Sequence, residues 1–325
     1  MKEALDCFQR GKSFLTISHV QPDGDALASQ LAIGLGLEQL GKKVVYFNDG
    51  DIPESLKFLP KAKEVVSVLP DQPQFDVVIS CDCGSLARLG DKFLKYKNYK
   101  TLVNVDHHFS NDRYGNINVV MPEAASTGEV VWGLLEKLNV TLTKDIATNI
   151  YCTLVTDTGS FRYSNTKTHT LQLAARMLEA GTNPEEVSEH LFESQPYEAF
   201  LLLSRVLNRM ELSKDKKYSW SVIYQKDLKE TGTKYEVTEE FINYPRSIRG
   251  VWVAVLFKEL QDGHYKVSLR SKTDAIDVSS ICQKFQGGGH KRASACILKG
   301  KFEEVKTKLF HEIEEALSKQ ERQRG

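Results

Sequence analysis

The chain lacks long apolar runs, an excess of charge of either sign, and the cysteine spacing of a disulfide framework. Its first apolar run, Phe14 to Ile17, is far too short for a signal peptide or a membrane span, so we expect neither. Lysine plus arginine equals aspartate plus glutamate at 43 each, which argues against a protein that tracks long duplex nucleic acid. The six cysteines are scattered, mostly in apolar segments, which predicts a reduced cytoplasmic protein.

Familiar ligand motifs are also absent or out of context. The sequence has no phosphate loop that ends in Gly-Lys-Ser or Gly-Lys-Thr. Gly34 and Gly36 resemble part of a dinucleotide fingerprint, but they lie inside a predicted helix rather than at a strand-to-helix turn. Cys81 and Cys83 could supply half of a zinc site, but no second half with ligand spacing follows.

The 325 residues suit two domains, and contents of 41% apolar and 26% charged residues are those of a folded globular chain. In the first part, short apolar runs typical of buried strands alternate with helical periodicity. This predicts an α/β fold over residues 1–193, with a mainly parallel sheet and helices on both faces. A helical connector is predicted over 194–217, and β-rich runs predict a smaller α+β domain over 218–325.

The individual elements follow from periodicity and from their bounding polar residues. We predict strands over residues 13–18, 43–47, 75–80, 101–105, 219–224, 251–257 and 265–269. We predict helices over residues 3–11, 26–40, 85–96, 124–138, 143–154, 171–181, 185–192, 196–212 and 301–319.

Polar residues cluster directly after the predicted strands of the first domain. They are His19, Asp23, Asp25, Asp82, Asp106, His107 and His108, and Asp157 lies at a helix end. The carboxyl ends of parallel strands meet at one edge of an open sheet, where such folds bind ligands. Carboxylates with a few imidazoles and no thiolates favour a hard or borderline divalent ion, manganese or magnesium, over structural zinc.

A second candidate site lies in the predicted α+β domain, within the segment Gln286 to Arg292. Its consecutive glycines, Gly287, Gly288 and Gly289, let backbone N–H groups turn toward an anion and let a ligand approach closely. The side chains of His290 and Arg292, with Arg270 earlier in the domain, add donors. We therefore predict a phosphate-binding turn here.

Together these patterns resemble a known superfamily. His19-x3-Asp23-x-Asp25, Asp82, Asp106-His107-His108 and Asp157 resemble the four N-terminal motifs of the DHH phosphoesterases, and Gly287-Gly288-Gly289-His290 is similar to the signature of their associated C-terminal domain. In length and layout the chain most resembles the NrnA-type branch. The resemblance implies a cytoplasmic metal-dependent enzyme that degrades short oligoribonucleotides to mononucleotides and converts 3′-phosphoadenosine 5′-phosphate to AMP.

The resemblance also implies a role for each site residue. One ion would be bound by His19, Asp23 and Asp82, and a second by Asp25, Asp82, His107 and Asp157. The two ions, manganese or alternatively magnesium, would stabilise the attacking and leaving oxygens. His108 would contact the scissile phosphate and serve as an acid, and Asp106 would orient an imidazole. The far phosphate or nucleotide would bind to Arg270, Gly287, Gly288, Gly289, His290 and Arg292.

The implied partners are short single-stranded RNA or DNA oligonucleotides and a nucleoside bisphosphate, without long duplexes or membranes; a homodimer stays open. Ala293-Ser294-Ala295 departs from the Ala-Ala-Gly-like turn of many relatives, which leaves base preference open. The alternative function is a soluble phosphodiesterase for cyclic or linear dinucleotides. Three other functions fit the sequence less well. A RecJ-type exonuclease would carry extra domains, and a family II pyrophosphatase would lack the glycine-rich signature. A non-catalytic binding protein would lack one of the metal-binding residues.

Overall fold

The computed structural model describes residues 1–70 and 74–324 and divides the chain into two compact units. The first unit covers Met1–Ser194, and the second begins at Gln195. Each unit has its own sheet and its own apolar core. None of the helices in the described ranges combines the length and the apolar character that crossing a bilayer requires.

The first unit is built on a parallel sheet. Its strands are β1 Ser13–Ile17, β2 Lys43–Phe47, β3 Phe75–Cys81, β4 Tyr99–Asp106 and β5 Ile117–Val120. They lie in the order β2-β1-β3-β4-β5, and every pair is parallel, which confirms the predicted fold class. The loops that follow β1, β3 and β4 therefore open at the same edge of the sheet.

Helices and apolar clusters cover both faces of this sheet. The helices are α1 Lys2–Arg10, α2 Gly24–Gln39, α3 Asp91–Lys95, α4 Thr127–Lys137, α5 Lys144–Asp157, α6 Thr168–Glu179 and α7 Pro184–Ser188. On one face, α2 is buried along most of its length and packs against α4 and α5. On the other, Leu15 and Ile17 of β1 join Val78, Leu89 and Phe93 in a smaller cluster.

Two local predictions for this unit do not match the structure. The predicted helix over 85–96 is wrong: a 3₁₀ turn, Leu86–Leu89, precedes the short α3. Gly90 lies between them at φ 96°, a conformation that interrupts a helix. The short run Ile117–Val120 did not indicate a strand, and it becomes one by pairing with β4.

The second unit contains a mixed sheet. Its strands are β6 Glu211–Leu212, β7 Tyr218–Ile223, β8 Val253–Glu259, β9 His264–Ser271, β10 Gly288–His290 and β11 Ala293–Lys299. Their order is β10-β11-β9-β8-β7-β6, in which β7 and β8 are parallel and the remaining pairs are antiparallel. The three strands predicted after residue 218 coincide with β7, β8 and β9.

Helices pack on both faces of this second sheet. They are α8 Tyr197–Asn208, α9 Gln225–Thr231, α10 Asn243–Ser247, α11 Val278–Gln283 and α12 Phe302–Arg324. Residues of α11 and α12 share a core with Val255 and Val267, whereas Leu202 and Val206 of α8 pack with Leu256. The predicted helix over 196–212 is therefore too long: α8 ends at Asn208, and its last predicted residues form β6.

Candidate metal centre and active site

Three of the predicted ligands lie in the segment after β1 and in the first turn of α2. Nδ1 of His19 is 2.9 Å from the carbonyl oxygen of Val20; if Nδ1 is protonated and donates there, Nε2 has its lone pair for a metal. Asp23 is the N-cap of α2, and its Oδ1 accepts a 3.0 Å hydrogen bond from the backbone N–H of Ala26. Asp25 lies in the first helical turn and is 2% exposed. The start of α2 thus favours carboxylates at both positions.

Asp25 and Asp82 are joined through the start of α4. The backbone N–H groups of Thr127 and Gly128 donate to the carboxylate of Asp25 at 2.8 and 3.2 Å. The hydroxyl of Thr127 donates to Oδ1 of Asp82 at 2.7 Å. Asp82 itself has φ 53°, a strained backbone conformation that is common at functional sites. Thr127 is a site residue that the sequence did not indicate, because its contacts span 45 and 102 residues.

Asp106, the last residue of β4, organises the two histidines that follow it. One carboxylate oxygen accepts the backbone N–H groups of His107 and His108 at 2.7 and 3.0 Å and lies 2.7 Å from Nδ1 of His108. The other oxygen accepts a hydrogen bond from the side-chain amide of Asn111. Burial alone would raise the pKa of Asp106, but these donors and the charge of His108 hold it well below its usual range. Asp106 is therefore an ionised carboxylate that fixes the turn.

His107 and His108 have different surroundings. Burial opposes a positive charge on His108, but the carboxylates of Asp82 and Asp106 prevail and raise its pKa to about 9, so the ring is protonated at neutral pH. His107 is oriented by its Nδ1, which is 3.2 Å from the carbonyl oxygen of Ala124. The carboxylates nearest to its Nε2 belong to Asp25, Asp82 and Asp157, at 3.6, 3.7 and 3.4 Å.

The carboxylates at this edge repel one another. Burial raises the pKa of Asp157, the last residue of α5, to about 6; the charges of Asp82 and Asp23 add to this effect, and His107 opposes it. Burial and the charges of Asp82 and Asp157 also raise the pKa of Asp25. A bound cation would relieve this repulsion, because it is the largest local charge in such a site.

Among the described residues, Asp82 belongs to three groups of neighbouring ligand atoms; one joins it to Asp106 and His108, and the other two consist of predicted metal ligands. Atoms of His19, Asp23 and Asp82 lie within 4.8 Å of one another, as do atoms of Asp25, Asp82 and His107. Carboxylates and imidazoles suit hard or borderline divalent ions. The neighbouring thiols do not compete, because burial raises the pKa of Cys81 well above its usual value and that of Cys83 to about 12. The donor set therefore fits divalent metal ions.

In the second unit, the predicted phosphate-binding residues lie along neighbouring strands. Arg270 of β9 and His290 of β10 both pair with Ala293 of β11, from opposite sides. The predicted turn is wrong in one respect, because Gly288–His290 forms an edge strand. Arg292 lies in the connection between β10 and β11, where its guanidinium donates two 2.7 Å hydrogen bonds to Asp274.

The structure explains why glycine is required at two of these three positions. Gly289 has φ 141°, which L side chains rarely adopt. A Cβ on Gly287 would collide with the carbonyl oxygen of Ala295. A Cβ on Gly288, by contrast, would meet nothing within 4 Å among the described atoms. The backbone at Gly288 is therefore open to a ligand.

The chain also matches known proteins over most of its length. Residues 13–154 match the DHH family, N-terminal domain, and residues 217–319 match the DHHA1 domain. The bifunctional oligoribonuclease and PAP phosphatase NrnA of Thermus thermophilus is 31% identical over 283 residues, which cover 87% of this chain and 83% of that relative. The chain belongs to the DHH family.

Other DHH-family proteins extend the comparison. A relative of the same name from Bacillus subtilis is 29% identical over 282 residues, covering 85% of this chain and 86% of that relative. The crystal structure of an exopolyphosphatase-related protein from Bacteroides fragilis has a TM-score of 0.84 at 25% identity, over 98% of this chain and 95% of that chain. The predicted resemblance to the DHH phosphoesterases is thereby confirmed, and the chain is a hydrolase of this metal-dependent class.

Proposed function

We propose that this DHH-family enzyme hydrolyses short oligoribonucleotides to mononucleotides and removes the 3′-phosphate of 3′-phosphoadenosine 5′-phosphate. The observation that carries the proposal is the pair of ligand groups that share Asp82, with Nδ1 of His108 3.5 Å from the same carboxylate. The names of the Thermus and Bacillus relatives support this substrate class. The six unpaired cysteines are in keeping with a cytoplasmic location, which we also propose.

Two manganese ions are the proposed cofactors, with magnesium as the alternative. The first would be held by His19, Asp23 and Asp82, and the second by Asp25, Asp82, His107 and Asp157. Bound divalent ions would offset the negative charge that develops on the phosphate and would lower the pKa of water. Thr127 supports this assignment, since its backbone N–H donates to Asp25, its hydroxyl donates to Asp82, and both carboxyl groups are oriented by these bonds.

We propose that His108 is the acid that donates a proton to the leaving group. Nδ1 of His108 is engaged in a hydrogen bond with the carboxylate of Asp106, so the proton on Nε2 would be the one transferred to the leaving group. As a P–O bond forms to the oxygen of a water molecule, which loses a proton to solvent, and the bond to the leaving oxygen breaks, the leaving alkoxide takes this proton from His108. The carboxylate of Asp106 beside Nδ1 raises the pKa of His108 and so favours the protonated ring that an acid requires.

Recognition of the rest of the substrate is assigned to the second unit. We propose residues 1–193 as the catalytic domain, 194–217 as the connector and 218–325 as the substrate-binding domain. Arg270, His290 and the backbone N–H groups at Gly287–Gly289 would bind the far phosphate, as the open surroundings of Gly288 support. Arg292, paired with Asp274, would fix the adjoining loop. Because this unit offers donors for one further phosphate or nucleotide, we propose that the enzyme prefers substrates of a few nucleotides.

The test is hydrolysis by the purified protein with Mn²⁺. The substrates are RNA of graded length, 3′-phosphoadenosine 5′-phosphate, pyrophosphate and cyclic di-AMP, with Asp82→Ala as the control for contaminating nucleases. We expect di- and trinucleotides to be cleaved faster than long RNA, and the bisphosphate to yield AMP. Equal rates on long RNA would contradict length selection, and cleavage of dinucleotides alone would favour the alternative phosphodiesterase.

A further inference from the structure

One aromatic ring beside the proposed acid lies almost entirely in solvent. Phe109 is 90% exposed, and no other large apolar side chain among the described residues is as exposed. It directly follows His108, and consecutive Cα atoms lie about 3.8 Å apart. Burial of apolar area is what makes a phenylalanine favourable for folding, and this ring has almost none. The fold therefore does not account for a phenylalanine here, whereas a ligand that covers the ring would.

The backbone on both sides of Phe109 is held in place by hydrogen bonds. Before it, the backbone N–H of His108 donates to Oδ1 of Asp106 at 3.0 Å. After it, the backbone N–H of Asn111 donates to the carbonyl of His108 at 3.2 Å. The side-chain amide of Asn111 also donates to the carbonyl of Cys83 at 3.2 Å. A fixed turn therefore presents the ring, and binding would have to order little of the chain.

The turn around Phe109 is otherwise polar. The four residues that follow it are Ser110, Asn111, Asp112 and Arg113, and three of them are exposed. Surfaces that dock proteins are usually contiguous apolar patches of several hundred Å², and a single ring in a polar turn does not form one. A single ring does suffice for a nucleobase, which stacks on one aromatic face. The turn therefore favours a nucleobase over a protein as the partner of Phe109.

The proposed role of His108 indicates which part of the substrate lies beside Phe109. His108 gives its proton to the leaving oxygen, so this oxygen lies within hydrogen-bond distance of the imidazole during the reaction. In 3′-phosphoadenosine 5′-phosphate the leaving oxygen is the 3′ oxygen of the ribose, and the adenine is attached to the same ribose. The base is therefore held close to His108, and Phe109 is the next residue along the chain.

We propose that the ring of Phe109 stacks on the base of the nucleoside that carries the leaving oxygen. The inference rests on the proposed function and deepens it, because it names the residue that binds the base next to the reacting phosphate. Every base offers a face for stacking, so the same ring serves the bisphosphate and oligoribonucleotides of any sequence. Because the stack forms in the bound substrate and persists in the transition state, it lowers KM and leaves kcat nearly unchanged.

The first test compares Phe109→Ala with Leu171→Ala, a control at an apolar residue that is 51% exposed on α6. The substrates are 3′-phosphoadenosine 5′-phosphate and the same bisphosphate with hydrogen in place of adenine. In Phe109→Ala we expect KM to rise about tenfold for the first and to stay unchanged for the second, which has no base to stack. The melting temperature should match wild type, because an exposed ring contributes little to stability. Equal changes in KM for the two substrates would overturn the proposal.

The second test is Phe109→Trp, which keeps an aromatic face and adds a fluorescent reporter at the site. Wild type, whose tryptophans are Trp132, Trp220 and Trp252, provides the baseline. With Mn²⁺ present, we expect AMP to quench the fluorescence of the introduced indole, because the adenine stacks on it. Ribose 5-phosphate, which has no base, should leave this fluorescence unchanged. An introduced indole that AMP quenches no more than ribose 5-phosphate does would overturn the proposal.

The same measurements distinguish a failure of this inference from a failure of the proposed function. If wild type hydrolyses neither RNA nor the bisphosphate, but AMP quenches the introduced indole and ribose 5-phosphate does not, the stacking site stands and the proposed function fails. If the bisphosphate is hydrolysed and Phe109→Ala keeps the KM of wild type for it, the proposed function stands and the stacking site is overturned.

Discussion

The two units of the chain concentrate charge of opposite sign. In the first, Asp25, Asp82 and Asp157 crowd the carboxyl edge of a parallel sheet, and burial together with their repulsion raises the pKa of Asp25 and Asp157. In the second, Lys258 and Lys266 face each other across an antiparallel pair. Because the chain has 43 basic and 43 acidic residues in total, its net charge reveals neither of these local clusters of charge. A neutral chain can therefore hold one site for cations and another for phosphates.

We propose that the chemistry takes place in the first unit and that the second unit recognises the rest of the substrate. We therefore expect substitutions at the acidic edge of the first unit to lower kcat, and substitutions on the basic face of the second unit to raise KM. Four substitutions test this division, and we give them in order of decreasing effect.

Asp82→Ala should have the largest effect. It removes a carboxylate from both ligand groups, and each divalent ion supplies several kcal/mol of transition-state stabilisation, so kcat on a dinucleotide should fall at least about 10⁴-fold. The matched control is Asp91→Ala at the exposed start of α3, which should leave kcat near wild type. Activity of Asp82→Ala within tenfold of this control would contradict a shared carboxylate.

His108→Gln should lower kcat on a dinucleotide by about 10²–10³-fold, because the leaving alkoxide loses its proton donor. The loss should be much smaller on a p-nitrophenyl phosphodiester, whose leaving group needs no proton. Steady-state kinetics on both substrates measure the difference. Equal losses on the two would assign His108 to orientation of the phosphate and not to acid catalysis.

Arg270→Ala should raise KM for the bisphosphate and for a dinucleotide by about 30-fold, with a smaller change in kcat, since a charged hydrogen-bond donor is lost. Arg249→Ala, exposed elsewhere in the same unit, is the control. A fall in kcat with KM unchanged would contradict the assignment of substrate recognition to the second unit.

Asp76 lies near the start of β3, at the edge of the first sheet opposite to the candidate metal centre. Asp76→Asn should therefore affect stability alone. The ammonium of Lys100 at 2.7 Å and the backbone N–H of Lys12 at 2.9 Å lower its pKa to about 2. The stability gained from this depressed pKa is complete above about pH 4, the unfolded value, and is lost as pH falls through about 2.

The variant should therefore lose about 1 kcal/mol of unfolding free energy at pH 7, after allowance for solvent screening, with kcat unchanged. Urea unfolding at pH 7 and near pH 2 measures this, and the difference from wild type should shrink at the lower pH. A difference that does not depend on pH would assign the effect to packing.

The parallel sheet and its polar edge could be predicted because both follow from local pattern. Apolar runs indicate buried strands, and parallel strands bring their carboxyl ends together whatever the distance between them in sequence. Asp82 and Asp106 could therefore be placed at one edge without any knowledge of contacts. The predicted strand over 13–18, for example, differs from β1 by one residue at its end.

The elements that escaped prediction depend on distant partners. β10 is made of glycines and a histidine, which are poor strand formers, and it exists because β11 supplies its hydrogen bonds. In the sequence, Thr127 is an ordinary residue at the start of a helix. Its role becomes visible only in the fold, where it donates hydrogen bonds to Asp25 and Asp82. The pairing of Lys258 with Lys266 likewise requires the register of β8 and β9. Long-range register is the information that local periodicity does not carry.

The stoichiometry of manganese binding tests the shared carboxylate most directly. Metal-free protein is titrated with Mn²⁺, and electron paramagnetic resonance reports both free and bound ion for wild type, Asp82→Ala and the Asp91→Ala control. We predict two spin-coupled ions per chain in wild type and in the control, and loss of the coupled pair in Asp82→Ala. Two ions bound equally well by Asp82→Ala, or a single ion in wild type, would contradict the metal centre proposed here.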